Sequence, residues 1–189
     1  MNKQEYKELL PLLESLKELC SDIRTGGKEL KDRLILGLKE DLKHHFFFIR
    51  LLVTREFESG TSMNFDRWAE FADRLSKQFE DIFNAAQKAC NNYSESEFEK
   101  IPESLAQLEQ AVNPFLENYD KTIEPLSKLR KWLAEAPDKI KSSPPGFISE
   151  EEKRAMTEDS LKGAADLKRL IEALDEAKTK ILTIKNFKE

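Results

Sequence analysis

The residues best equipped for chemistry in this 189-residue chain are its two histidines, His44 and His45, and its two cysteines, Cys20 and Cys90. Metal centres in helical bundles take carboxylates from two helices and a Glu-x-x-His pair from each of two more. Here Asp41-x-x-His44 is the single partial match, and no second histidine-bearing helix exists. Neighbouring side chains on a helix point about 100° apart, so His44 and His45 do not converge on one ion. A phosphotransfer histidine would stand exposed beside small and basic residues. Phe46, Phe47 and Phe48 follow instead.

Cys20 and Cys90 both fall on apolar helical positions and are expected to be buried free thiols. A disulfide between them would need a geometry that spacing alone does not give. No C-x-x-C pair supports zinc or a redox motif. Carboxylates are abundant, but none is paired with a nucleophile or a histidine in a loop. Ser59-Gly60-Thr61-Ser62 is too short for a phosphate loop and lacks its lysine. Trp68 and Trp132 sit on or beside apolar stripes and read as core packing rather than ligand stacking. No catalytic, cofactor-binding or metal-binding residues are assigned, no cofactor is expected, and an enzyme is the less favoured class.

The elements that would have to position any site are helices. Trp68, Phe71, Leu75, Phe79, Ile82, Phe83, Ala86 and Ala89 recur in steps of three and four, which turns one helix face to a core. The rhythm returns from Leu105 through Val112, Phe115, Tyr119 and Leu126 to Leu133, and again from Leu161 through Leu167 and Leu174 to Ile184. Charged residues make up 35% of the chain, with 6 glycines and 7 prolines, a mix that favours helices with solvated faces. The predicted fold is all-α: an elongated up-and-down bundle of about five helices with coiled-coil-like heptads, in a single domain over 1–189.

Helix one is predicted over 3–24, with Tyr6, Leu9, Leu10, Leu13, Leu16, Cys20 and Ile23 inward. Pro11 either kinks it or lies in its first turn. Gly26-Gly27 should end it. Helix two is predicted over 28–57. Asn64 should cap helix three, which runs to about Cys90 and frays at Asn91-Asn92. Ser94 to Glu97 and Ser149 to Glu152 have capping-box spacing. Helix four, 102–135, carries Pro114 and Pro125 and is read as one curved or broken helix that keeps a single face on the core, with two separate helices as the alternative. A linker over 136–148 precedes helix five, 150–186. In that helix Gly163-Ala164-Ala165 offers a close approach to a neighbour.

Net charge is −5 and argues against nucleic acid as the main partner. Lys121, Lys128, Arg130 and Lys131 read as a solvated face. The N-terminus does not resemble a secretory leader, no apolar run reaches bilayer length, and a reducing, cytoplasmic setting is expected.

Helix two departs from the one-faced pattern. Ile35, Leu38, Leu42, Phe46, Ile49 and Val53 form one stripe; Leu36, His44, Phe47 and Leu51 form another. A helix apolar on several faces is either central in a bundle or a docking surface. A lipid-contacting patch would usually carry a Lys/Arg-rich polar face. The functional expectation is a non-enzymatic interaction module, such as an adaptor, inhibitor or immunity-type factor. It would bind a protein partner or itself through Leu36, His44, Phe47 and Leu51. The alternative is an enzyme, or a lipid- or apolar-ligand-binding protein, that uses the space between the helices.

Overall fold

The computed structural model describes residues 3–187 apart from Phe46, Glu95, Ser96, Glu97, Pro145 and Phe147. For residues 3–6, Phe47, Phe48, Ser94 and Phe98 it describes the backbone alone. Of the described residues 93% are helical, with no strand. The chain runs α1 (Lys3–Glu29), a π-helix (Leu30–Leu36), α2 (Gly37–Asp41), a 3-10 turn (Leu42–His44), then α3 (Phe47–Thr61) and α4 (Phe65–Ser94). A second 3-10 turn (Phe98–Lys100) leads into α5 (Ile101–Glu117), α6 (Tyr119–Lys141) and α7 (Glu150–Asn186). Six of these helices have fifteen or more residues, and they pack against one another as in a bundle.

Two compact units divide the chain: 1–28, 72–119 and 172–189 form the first, and 29–71 with 120–171 the second. In the first unit four helical segments pack antiparallel in succession. Arg24 of α1 pairs with Glu80 of α4 at 3.6 Å and lies over the Phe83 ring. Lys88 and Asn92 of α4 reach Gln107 and Ser104 of α5. Lys185 of α7 reaches Asn113 of α5, and Tyr119 donates to Asp175. Leu16, Cys20, Ile23, Phe79, Ile82, Leu105, Phe115, Leu174 and Ile181 fill the core, in the periodicity expected of one-faced helices. Phe79 meets Phe115 edge-on at 5.0 Å. Phe83, expected fully inward, is half-buried, as is Phe71 in the second unit.

Several boundaries differ from expectation. Helix one does not stop at Gly26-Gly27. A Cβ at Gly27 would fall 2.4 Å from Ser76 Oγ and 3.4 Å from the Ala72 carbonyl, so its missing side chain admits α4. That packing outweighs the roughly 1 kcal/mol helix penalty of a glycine. Helix two is not one element over 28–57. Its two apolar stripes lie too far apart in phase to face one core from a straight helix. The π-turns of 30–36 and a break at His45 (φ −92°, ψ 158°) re-phase the chain, so that Ile35, Leu42 and Phe57 are all buried. Nor is helix four one curved rod. Pro114 has no N–H to give the Gln110 carbonyl. Four residues on, the helix breaks at Asn118 (φ −111°, ψ 17°), whose side-chain amide donates to the Pro114 carbonyl at 3.0 Å. In α7, Leu161 is exposed rather than inward, while Leu167 and Leu170 are buried.

Other expectations are met. Asn64 Oδ1 accepts the Arg67 N–H at 2.9 Å as the cap of α4. Ser149 and Glu152 exchange hydrogen bonds as a capping box. Cys20 and Cys90 are buried free thiols. The Ser94–Glu97 box and the inward placement of Tyr6 and Phe46 lie outside the described residues.

Candidate functional site

The C-terminal half of α3 is held firmly in the second unit. Phe57 stacks on Phe65 at 4.2 Å and meets Trp132 of α6 edge-on at 5.2 Å. Gly60 lies so close to Trp132 that a Cβ there would sit 2.5 Å from the indole Cδ1. Thr61 is buried; its hydroxyl donates to the Phe57 carbonyl at 2.8 Å and accepts the Trp68 indole N–H at 3.0 Å. Ser62, at φ 64°, then turns the chain toward α4. Glu56 pairs with Lys139 of α6 at 3.1 Å. In the same unit Gly163 receives the Leu34 and Leu133 side chains, the close approach expected of that small-residue patch.

N-terminal to this anchor α3 presents two leucines to solvent, while Ile49 is half-buried. Leu51 is 54% exposed and Leu52 63%. Val53 and Thr54 are half-buried, and Arg50 and Arg55 are exposed. An isolated exposed leucine is unremarkable on a protein surface, but two adjacent ones on a fixed helix form a patch.

The four residues predicted for the interface are not all carried to this place. Leu51 is in the patch. Phe47 lies one turn before it on α3, its side chain outside the described set. Leu36, 36% exposed, closes the π-helix, and His44, also exposed, closes the 3-10 turn. The break at His45 and the wide π-turns mean that helical phase does not align these two with Phe47 and Leu51. Leu52 was not singled out by pattern. Its signal is that Leu51 and Leu52 are consecutive, so the face centred on Val53 and Phe57 cannot take both.

The charges around the patch are ordinary surface charges. Lys43 pairs with Glu40 at 2.6 Å, and this hydrogen bond holds the Glu40 carboxyl below its usual range. His45 is half-buried, and the Glu152 carboxyl is lowered chiefly by its hydrogen bonds from Ser149. Among the described residues no three His, Cys, Asp or Glu side chains converge as metal ligands would. No helix among them is long and apolar enough to cross a membrane.

The described residues of the first unit line a small recess and an open groove. The recess, lined by Leu16, Leu105, Leu108, Val112, Ile181 and Ile184, has a volume of about 10 Å³, roughly enough for a single water. The groove, of about 360 Å³, lies beside Arg74, Lys77, Gln78, Gln110 and Pro114. Comparison of the chain with protein-family models, with curated proteins and with solved structures finds no match.

Proposed function

We propose that this chain is a non-enzymatic interaction module that binds a protein through the outer face of α3. The observation that carries the reading is the Leu51–Leu52 pair, more than half exposed on a helix whose other end is locked by Phe57, Gly60 and Thr61. An interface gains most from apolar anchors presented on a rigid element inside a charged rim. Arg50 and Arg55 supply such a rim. The apolar recess in the first unit is only water-sized, and the larger groove is lined mainly by charged and amide side chains, which suits an apolar ligand poorly. The net charge of −5 speaks against nucleic acid, and two buried free thiols accord with a reducing, cytoplasmic setting.

The test is Leu51→Ser with Leu52→Ser. Full burial of a leucine is worth about 1.5–3 kcal/mol, and each of these two retains less than half of that, so the variant should stay folded with a modest loss of melting temperature. Pull-down from native lysate, quantified by mass spectrometry, should show a stoichiometric partner with the parent chain and none with the variant. A partner retained at full yield by the folded variant would refute this face as the interface. Wholesale unfolding would assign the two leucines to the core.

A further inference from the structure

We propose that the groove between α4 and α5 binds a short zwitterionic peptide, its carboxylate toward Arg74 and Lys77 and its ammonium toward Asp81. The site lies in the first unit and does not depend on the reading of α3. Further along the same two helices the polar side chains meet in pairs. Lys88 reaches Gln107 at 2.9 Å and Asn92 reaches Ser104 at 2.5 Å. Nearer Pro114 the helices leave an open groove of about 360 Å³. Arg74, Lys77, Gln78 and Asp81 line it from α4, and Gln110 and Pro114 from α5. Five of these are polar side chains, and none of the five forms a hydrogen bond or ion pair with another described residue. The nearby acids are engaged elsewhere: Glu80 pairs with Arg24, and Asp73 has a partner of its own and does not line the groove.

The charges are sorted along the groove. On α4 Arg74 and Lys77 precede Asp81, and steps of three and four keep them on one face. The pairing of Lys88 with Gln107 and of Asn92 with Ser104 sets an antiparallel register. By that register Asp81 stands level with Pro114, and Gln110 lies beyond it. One end is therefore cationic and the other rich in acceptors. Pro114 withholds its N–H from the Gln110 carbonyl, a backbone acceptor between two lining residues at the Asp81 end. Gln78, half-buried, stands between the two ends, and its amide both donates and accepts, as a peptide group requires.

Length selects among zwitterions. Along the helix axis Asp81 lies about 6 Å from Lys77 and about 10 Å from Arg74. A fully extended dipeptide spans about 7 Å, and a free amino acid half of that. A simple anion would meet the repulsion of Asp81, and a simple cation that of Arg74 and Lys77. An apolar ligand would strip water from five polar side chains without replacing their hydrogen bonds.

The experiment titrates alanyl-alanine into the isotope-labelled full chain and follows the backbone amide chemical shifts by NMR. Saturable shifts should appear over 74–81 and 110–114, with a dissociation constant on the order of 1 mM for so open a groove. N-acetylation of the peptide, or amidation of its carboxylate, should each weaken binding by about tenfold, the loss of one charged contact. Asp81→Asn should remove the discrimination against the acetylated peptide and keep that against the amide. Arg74→Gln with Lys77→Gln should do the reverse. All three side chains are exposed, so the variants should melt as the parent does. Should one unfold, comparison of the three peptides on the parent chain decides alone. Absence of saturable shifts, shifts confined to residues outside the groove, or equal affinity for blocked and unblocked peptides would overturn the proposal. So would discrimination that the variants leave unmoved. Acetate or free alanine binding as tightly as the dipeptide would also overturn it, leaving an anion or single amino-acid site.

Discussion

Thr61→Val isolates the contact that fixes the corner between α3 and α4. Valine keeps the shape of threonine and deletes the hydroxyl. That hydroxyl accepts the Trp68 indole N–H at 3.0 Å and donates to the Phe57 carbonyl at 2.8 Å, with the Met63 carbonyl at 3.1 Å. The Phe57 carbonyl still accepts the backbone N–H four residues on, so it loses little. The indole N–H of Trp68, a fully buried residue, is left without an acceptor. An unsatisfied buried donor costs about 1–3 kcal/mol. For a chain of this size each kcal/mol lowers the melting temperature by roughly 2–4 °C. Urea denaturation followed by circular dichroism would measure the loss. A double-mutant cycle with Trp68→Phe, which removes the donor, apportions it. Thr61→Val should be cheaper in the Trp68→Phe background, with a coupling of about 1–2 kcal/mol. Strict additivity, or a Thr61→Val chain as stable as the parent, would refute the hydrogen bond as the lock on this corner.

Phe79→Ala should destabilise by about 3–5 kcal/mol in the same assay, because a fully buried ring packed on Phe115 leaves a cavity; an unchanged midpoint would mean that this stripe is not core. Gly60→Ala should destabilise by about 1–3 kcal/mol despite alanine's better helix propensity, since the new Cβ meets the rigid Trp132 ring, and a shift in the tryptophan emission should accompany it. Burial pushes the Cys20 thiol up to about 12. Cys20 should therefore resist a thiol reagent in the native state and react on unfolding. The unfolded thiol ionises near 8.5 and the folded one near 12, so stability present below the first value is lost as pH rises toward the second. Cys20→Ala should flatten that alkaline decline.

Period and punctuation made much of this architecture legible. Trp68, Leu75, Phe79 and Ile82 stayed in phase over α4, and Asn64 and Ser149 declared their helix starts through side chains that satisfy orphan N–H groups. What escaped was set by contacts distant in sequence. Gly26-Gly27 reads as a stop by propensity, yet Gly27 is where Ser76 and the Ala72 carbonyl of α4 crowd the backbone. The re-phasing of 30–45 follows from two stripes competing for one core, and a single window shows both stripes without choosing between them. Leu161 continues a stripe on paper, but Leu167 and Leu170 take the buried positions. For the candidate site, Leu51 could be proposed from pattern, whereas Leu52 became visible only once Phe57 and Thr61 had fixed how α3 is turned.

The way each compact unit is assembled from separate stretches bears on how the chain comes off the ribosome. The first unit needs 1–28, 72–119 and 172–189 together. Leu16 near one end and Ile181 near the other line the same small recess. Its core therefore stays open until α7 has emerged, with Leu16, Leu105, Leu108 and Val112 lacking Ile181 and Ile184 meanwhile. The second unit has all its segments by residue 171. Helical proteins usually fold fast because their contacts are local. Here the loop closures that bring α1, α4, α5 and the C-terminal half of α7 together set a long-range step, and vectorial synthesis delays it further. A premature stop after residue 171 would leave the second unit its own segments while stripping Leu174, Ala177, Ile181 and Ile184 from the first, exposing a ready target for chaperones and proteases.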